Sequence, residues 1–226
     1  TSLPATSIAG PSYICTGNST NLSVVGGFLG TLANWQWYSG SCGGTPVGSG
    51  TSINVNPTIN TTYYVRAEGL CNTTVCVSFT LVVNSLPNGS ITGSNTVCYG
   101  TDTSVVFTFN AGLAPYTVVY TDGSNVFTKT NVNTGDTVRV LPLTTTTYTI
   151  QQITDANGCI RNTGFGGAAT ITVAPLPVVN NVFVQDVLCN GGNTGSINVT
   201  ASNGTPTYTY SNDNGVSYQN NNLFTG

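Results

Sequence analysis

Leu86 to Gly100, LPNGSITGSNTVCYG, contains a pattern that occurs three times in the chain. A Leu-Pro pair stands twelve or thirteen residues before a Cys-x-Gly turn, at Leu3-Pro4 with Cys15, Leu86-Pro87 with Cys98, and Leu176-Pro177 with Cys189. The repeat periods are 83 and then 90 residues. Such periods are too long for small solenoid repeats and suit a complete all-β domain. The sequence therefore predicts a tandem array of domains.

A second repeat lies inside the first two copies. Ile53 to Val65 (INVNPTINTTYYV) aligns without a gap with Val138 to Ile150 (VRVLPLTTTTYTI). Two patterns in register set the module boundaries at residues 1–85 (module one) and 86–175 (module two), each close to the length of a small two-sheet β-sandwich. Residues 176–226 (module three) end before their own copy of the second repeat, and we expect them to be the N-terminal part of an incomplete third sandwich.

The predicted fold is all-β, with tandem Ig-like β-sandwich modules arranged end to end. Short strand patterns rich in Thr, Val and Tyr are separated by Gly, Asn and Pro, and no segment has a helical period. The strongest strand signal is Ala33 to Tyr38, in which Trp35 and Trp37 alternate onto one face. We expect a tryptophan packed between two sheets; an exposed aromatic platform for sugar is the alternative.

Charged residues are scarce, at 5% of the chain, against about 25% in an average protein. Four Lys and Arg, seven acids and no His give a net charge of −3. This composition has no basic patch for phosphates, so nucleic acid is not an expected partner. The sequence contains no run of 18 apolar residues, and it therefore predicts no membrane span. The absence of Met and of a signal peptide at Thr1 suggests an internal or processed segment of a larger protein.

The chain has seven cysteines, without the His and the ligand spacings of a zinc site, which favours disulfides in an oxidising compartment. Module two holds Cys98 and Cys159, which predicts a bridge within that module. Module three holds one cysteine, Cys189, which is predicted to be unpaired in this segment. The four cysteines of module one are predicted to form two bridges of unassigned connectivity: Cys15, Cys42, Cys71 and Cys76.

The predicted Cys98 to Cys159 bridge requires its two sulfurs to meet. In a standard Ig-like sandwich, the Cys98 position falls near the first strand corner and the Cys159 position near the hairpin between the last two strands. These positions can lie at opposite poles, in which case the bridge fails.

The junctions between modules are short and contain proline, at residues 84–88 and 174–177. Proline fixes its own φ angle and biases the preceding residue to an extended conformation. We therefore expect stiff linkers and modules strung in a rod, with neighbouring modules of the same chain as the first partners of each module.

Module three carries the most specific resemblance, through Cys189-Asn-Gly, Gly195-x-Ile-x-Val199 and Gly204-Thr-Pro-x-Tyr208-x-Tyr210-Ser. These motifs resemble the SprB-type repeat of the large surface adhesins of gliding Bacteroidetes. Modules one and two resemble the Ig-like repeats that accompany it, through ICTG, NWQWYSGSCGG and TTYYVRAEGLC in module one and APYTVVYTDG and TDANGC in module two.

The resemblance implies a Bacteroidetes cell-surface repeat protein of stacked β-modules. It implies export by the type 9 system and a role in adhesion, gliding motility or a surface filament. It also implies that a later Asp-x-x-Gly-Cys supplies the partner of Cys189. Asp136-Thr137-Val138 resembles the O-glycosylation acceptor used in this phylum, which makes Thr137 a candidate acceptor.

Catalytic constellations are absent from the sequence. With no His and scattered carboxylates, we expect no enzyme, no catalytic residue, no cofactor and no metal. The turn from Asp155 to Cys159 faintly resembles a calcium loop, but it lacks the spaced carboxylates that calcium requires, so a hairpin turn is expected.

Two functions remain for an inert extracellular array. The leading hypothesis is a structural or adhesive spacer of a large surface adhesin or filament. The alternative is a binding module in which exposed aromatics such as Tyr208, Tyr210 and Tyr218 contact surface polysaccharide, another protein or other copies of the chain.

Overall fold

The protein is described by a computed structural model that covers residues 1–226. It is all-β, as the sequence predicts. Module one contains eight strands: β1 (Ser7–Ala9), β2 (Tyr13–Cys15), β3 (Thr20–Val25), β4 (Asn34–Ser39), β5 (Thr45–Ser49), β6 (Ser52–Val55), β7 (Thr61–Glu68) and β8 (Val77–Asn84). They form two sheets, in the orders β1-β3-β6 and β2-β8-β7-β4-β5.

Module two repeats this architecture. Its strands are β9 (Asn88–Thr92), β10 (Asn95–Cys98), β11 (Thr103–Ala111), β12 (Tyr116–Thr121), β13 (Val126–Val132), β14 (Thr137–Val140), β15 (Thr146–Thr154), β16 (Ile160–Arg161) and β17 (Ala169–Ala174). One sheet has the order β14-β11-β9, and the other has the order β10-β17-β15-β12-β13, with β16 paired to β15.

Module three is a single sheet of three antiparallel strands, in the order β18-β19-β20. Its strands are β18 (Val178–Gln185), β19 (Ser196–Ser202) and β20 (Leu223–Thr225). Every residue of β18 is exposed, because no second sheet lies against it within residues 176–226.

Separate hydrophobic cores hold modules one and two. The core of module one lies within residues 5–81 and that of module two within residues 91–171. Trp35 and Trp37 are both buried in the first core, as expected from their alternation on β4, and the Trp37 Nε1–H donates to the Gly50 carbonyl at 2.9 Å. In the second core, the Phe107 and Tyr120 rings pack edge to face between the two sheets, with their centroids 5.5 Å apart. These cores leave no exposed tryptophan platform.

Each module has a leading pole, where the chain enters it, and a trailing pole, where the chain leaves it. In both modules, a short strand that ends in cysteine pairs in parallel with the last strand: β2 with β8, and β10 with β17. The register places Cys15 opposite Asn84 and Cys98 opposite Ala174, so both cysteines lie at trailing poles.

Candidate functional site

The junction between modules one and two is held by packing, hydrogen bonds and a disulfide. The chain leaves β8 at Asn84 and enters β9 at Asn88. Between these strands, Pro87 is fully buried at the leading pole of module two. Pro87 is therefore a packing element of module two as well as a stiff linker residue.

Pro87 lies against Gly112, which has a φ of +92°. A Cβ added to this glycine would lie 2.9 Å from both Cα and Cβ of Pro87 and 3.1 Å from the Tyr116 ring. The Tyr116 hydroxyl donates to the Gly112 carbonyl at 3.0 Å. Burial, and then the nearby Asp155 charge, raise the pKa of Tyr116, so this phenol remains a donor. Proline, glycine and tyrosine form a close-packed stack at this pole.

Asp155 organises the loop beside that stack. Its side chain is buried, and Oδ1 accepts hydrogen bonds from the Asn157 and Cys159 amides at 3.0 and 2.9 Å. Oδ2 accepts from the Leu113 amide at 3.0 Å. The carboxylate thus ties the loop after β15 to the loop after β11. Both oxygens are occupied by backbone donors, so the segment is a hairpin turn, as expected, and Cys159 is fixed at the leading pole.

Cys15 is held on the opposite side of the junction. It ends β2 next to the last residue of β8, and the Thr16 amide and hydroxyl both donate to the Asn84 carbonyl, at 2.9 and 3.0 Å. The trailing pole of module one therefore presents a cysteine to the linker from a hydrogen-bonded turn.

Cys15 and Cys159 form a disulfide across the junction, with a Cα to Cα distance of 5.6 Å. The bond joins residues 144 positions apart, one in module one and the other in module two. Modules one and two are consequently connected twice, by the main chain and by this bond.

The structure contradicts the predicted pairing of Cys98 with Cys159. Cys159 follows the leading end of β15, whereas Cys98 lies beyond its trailing end, because Cys98 pairs with Ala174 and Thr146 pairs only with Ile171. Nine residues of strand separate these ends, which is roughly 26 Å at about 3.3 Å per step. A disulfide requires Cα atoms within about 7 Å. Cys98 is instead a free, exposed thiol.

The expectation of two bridges confined to module one is also wrong. Cys42 pairs with Cys76 at a Cα to Cα distance of 5.9 Å, but Cys71 is free and exposed. Cys71 lies at the leading pole, next to Asn72, whose side chain bonds twice to the backbone of Ser2, at 2.8 and 3.0 Å. It cannot reach Cys15 at the trailing pole. Cys189 is free and exposed.

The Cys42–Cys76 bond lies beside a small charged cluster. The Arg66 guanidinium covers the Tyr38 ring at 5.1 Å and pairs with Glu68 at 2.7 Å, and the Tyr38 hydroxyl donates to the same carboxylate. The hydrogen bond from Tyr38 and the contact with Arg66 lower the pKa of Glu68. Arg66 and Glu68 are half-exposed and Tyr38 is buried, and their contacts tie β4 to β7.

The aromatics named for a binding role occupy different settings. Tyr208 and Tyr210 are half-buried and meet edge to face at 6.5 Å, while Tyr218 is 66% exposed. A cavity of about 390 Å³ adjoins the first two and is lined by Pro206, Thr207, Tyr208, Tyr210 and the asparagines 220–222. The Tyr208 hydroxyl is used internally, because it donates to the Asn203 carbonyl.

Other expected sites are dispersed. Thr137, the candidate O-glycosylation acceptor, is exposed at the start of the edge strand β14, and its modification stays a prediction. No cluster of three or more His, Cys, Asp or Glu side chains is arranged to hold a metal ion. No helix in the structure is long and apolar enough to cross a membrane.

Two paired sheets around each core, repeated along the chain, define a tandem Ig-like β-sandwich protein. Residues 4–85 match the sequence model of the family described as Ig-like domain CHU_C associated, and residues 181–217 match that of the SprB repeat. The chain therefore carries an Ig-like domain and a SprB repeat, as the resemblance implies. A comparison with curated proteins found no match.

Solved structures that match the chain include several multi-domain proteins. A marsupial T cell receptor matches with 12% identity and a TM-score of 0.48, over 90% of this chain and 82% of that one. The three N-terminal domains of the bacteriophage RB49 outer capsid protein Hoc match with 14% identity and a TM-score of 0.42, over 88% and 69%. Fibronectin(III)-like modules of Clostridium thermocellum CbhA match with 11% identity and a TM-score of 0.38, over 77% and 95%.

Proposed function

We propose that the chain is a stiff structural segment of a large extracellular surface adhesin or filament, in which it holds more distant parts apart. The observation that carries this proposal is the covalent bond between Cys15 and Cys159 across the module junction. A spacer transmits position and force only if its modules do not bend freely, and a second connection beside the linker restricts bending.

Three other observations support a structural role. Pro87 is buried in the module that follows it, so the linker is part of a core boundary. The matched Ig-like and SprB repeat families are associated with the cell surface. The presence of disulfides agrees with an oxidising extracellular location. Export by the type 9 system and a part in gliding motility are finer proposals that rest on the resemblance to the Bacteroidetes adhesins.

A replacement experiment tests the spacer role. In the parent protein, residues 86–175 are replaced by a flexible Gly/Ser linker of equal contour length, and cell adhesion is compared with that of the unmodified parent. We expect adhesion to fall, while the recombinant 226-residue chain itself binds no surface polysaccharide in a pull-down. Unchanged adhesion after replacement, or polysaccharide binding by the recombinant chain, would contradict the spacer role.

A binding module is the second candidate, and the cavity beside Tyr210 favours it. Its wall combines an aromatic face with the amides of Asn220, Asn221 and Asn222, and its volume falls within the range of small-ligand sites. The test compares Tyr210→Ala with Thr209→Ala in polysaccharide pull-downs. A binding module predicts loss of binding with the first variant only, whereas a spacer predicts no binding by either variant or by the unmodified chain.

A further inference from the structure

Cys98 holds the same position in module two that Cys15 holds in module one. Each ends a short strand that pairs in parallel with the last strand of its module. A tight turn follows both, with a 3.0 Å bond from the Asn18 amide to the Cys15 carbonyl and from the Thr101 amide to the Cys98 carbonyl. The Tyr99 amide bonds to Ala174, as the Thr16 amide bonds to Asn84. The trailing pole of module two is thus built like the one that already carries a junction disulfide.

The leading pole of module three repeats that of module two. A Cβ added to Gly204 would lie 3.1 to 3.2 Å from atoms of Pro177, just as one on Gly112 would meet Pro87. The Tyr208 hydroxyl donates to the carbonyl of Asn203, the residue before this glycine, and Tyr116 makes the same kind of bond at the earlier pole. The second junction therefore has a proline against a positive-φ glycine with a tyrosine bonded beside it, as the first does, but Pro177 is exposed where Pro87 is buried.

Cys71 completes the pattern from the other side. It lies in the loop after β7, which pairs with β4 and β8 as β15 pairs with β12 and β17 in module two. Cys159 lies in the loop after β15. Leading poles thus carry Cys71 and Cys159, and trailing poles carry Cys15 and Cys98. The trailing and leading cysteines that meet at the junction of modules one and two are bonded, whereas Cys98 and Cys71, which meet no such cysteine, are free.

We propose that Cys98 is the trailing-pole half of a second junction disulfide, whose partner is a leading-pole cysteine of the following module, in the position that Cys159 occupies in module two. Cys71 is the corresponding leading-pole half for a module placed before module one. This inference rests on the arrangement of modules in line and not on the adhesive role. One such disulfide connects each pair of neighbouring modules.

The bond forms by thiol–disulfide exchange with an oxidised low-molecular-weight disulfide. The Cys98 thiolate attacks one sulfur of that reagent, its S–S bond breaks, and one reduced thiol leaves. The thiolate of the following module then attacks the mixed disulfide at Cys98 and releases the second reduced thiol. Two protein thiols are oxidised, one reagent disulfide is reduced to two thiols, and the two thiol protons are transferred to them.

This assignment differs from the pairing implied for Cys189 by the resemblance. Cys189 follows the end of β18 at Gln185, whereas the leading pole of module three lies at Val178, which pairs with Ser202. Seven steps of strand separate these ends, which is roughly 23 Å at about 3.3 Å per step. A cysteine in a leading-pole loop of module three therefore lies near Cys98 and far from Cys189.

Two extended chains test the proposal. In the first, residues 1–175 are followed by residues 86–226, so that module two occurs twice and Cys98 of the first copy faces Cys159 of the second. In the second, residues 1–175 are followed by residues 3–226, which preserves the Ala-Pro-Leu-Pro junction and places Cys71 after Cys98. Each chain is oxidised with glutathione disulfide, alkylated and digested after aromatic residues without reduction.

We expect a peptide linking Cys98 to Cys159 in the first chain and one linking Cys98 to Cys71 in the second. In the unextended chain, Cys98 is alkylated. Cys98→Ala in the first copy of module two should remove the linked peptide, and Cys98→Ala in the second copy should leave it in place. The Cys15–Cys159 peptide reports correct folding of the first junction in every variant.

Alkylation of the first copy's Cys98 in both chains, with the Cys15–Cys159 peptide present, would overturn the proposal. A bond from Cys98 to Cys159 of its own module copy would also overturn it. Failure of both extended chains to form the Cys15–Cys159 bond would also count against the proposal. It would show that the leading pole of module one or module two cannot be placed directly after the trailing pole of module two.

Discussion

Asp155 is the residue on which the position of Cys159 depends. Its buried carboxylate accepts three backbone hydrogen bonds that join two loops of the leading pole. A buried amide that loses its acceptor carries the full cost of desolvation. The carboxylate is therefore a structural device for presenting the cysteine, although the sequence around it resembles part of a calcium loop.

Asp155→Asn should destabilise module two, because an amide side chain presents one acceptor oxygen and leaves at least one backbone N–H unpaired. We expect a loss of about 2 to 4 kcal/mol in the free energy of unfolding, measured by urea denaturation. The matched control is Asp186→Asn, since Asp186 is exposed in module three. Equal stabilities for the two variants would show that the carboxylate does not hold the loop.

Asp213 gives a prediction of pH dependence in module three. Hydrogen bonds from the Ser217 hydroxyl and amide, and from Ser211, lower its pKa to about 2 from the usual 3.8. A carboxyl whose folded pKa is lowered stabilises the fold above its unfolded pKa and loses that contribution as pH falls towards the folded value. The turn should therefore loosen between about pH 4 and pH 2, which NMR of the Asp213 carboxyl carbon measures. Ser217→Ala should raise the midpoint towards 3.8, and an unchanged midpoint would contradict this cause.

At the scale of elements, the repeated Leu-Pro pair works through a glycine on another loop. Gly112 has a positive φ and lies against Pro87. The Leu-Pro pattern and its period were readable from the sequence. The glycine partner was not, because it lies 25 positions away in a segment that reads only as a turn.

Gly112→Ala should lower the free energy of unfolding by more than the strain of a left-handed backbone conformation alone explains. Gly123 is the matched control, because its φ of +93° is nearly the same and nothing lies within 4 Å of a Cβ built there. We expect about 1 to 2 kcal/mol for Gly123→Ala from left-handed strain, and roughly 1 to 3 kcal/mol more for Gly112→Ala from overpacking against Pro87. Urea unfolding measures both, and equal losses would exclude a structural role for the proline contact.

Strand prediction succeeded where side chains alternate strictly and failed where they do not. The Trp35 and Trp37 alternation predicted β4 to within one residue at each end. Residues 45–49 form the edge strand β5 with all five side chains exposed, so no apolar period marks it. Pro46 in this strand, and Lys129 in the edge strand β13, are residues that oppose pairing of sheet edges between copies.

At the scale of the whole molecule, composition and repeats predicted the class of fold but not the covalent connection between modules. An even number of cysteines within each repeat suggested bridges inside the modules. This inference did not consider at which pole of its module each cysteine lies. The pole of each cysteine follows from strand direction: Cys15 and Cys98 come at a fixed distance after Leu-Pro, while Cys71 and Cys159 come after the second repeat. Only register and sheet order show that a trailing and a leading cysteine meet at the junction.

The junction disulfide should make modules one and two tumble as one body. Residual dipolar couplings of the unmodified chain should fit one alignment tensor for both modules. Cys15→Ala with Cys159→Ala removes the second connection, and the modules should then require separate tensors. Cys42→Ala with Cys76→Ala is the control, because it removes a bond inside module one and leaves the junction intact. A single tensor in the Cys15 and Cys159 variant would show that the linker alone fixes the modules.

The most direct test of the account is disulfide mapping of the unmodified chain after oxidative folding. Trypsin is unsuitable, because Cys15 shares a peptide with Cys42, and Cys98 shares one with Cys76. Digestion after aromatic residues separates these pairs at Trp37 and Phe79. The account predicts a peptide that links Cys15 to Cys159, with Cys98 alkylated as a free thiol. A peptide that links Cys98 to Cys159 would contradict it.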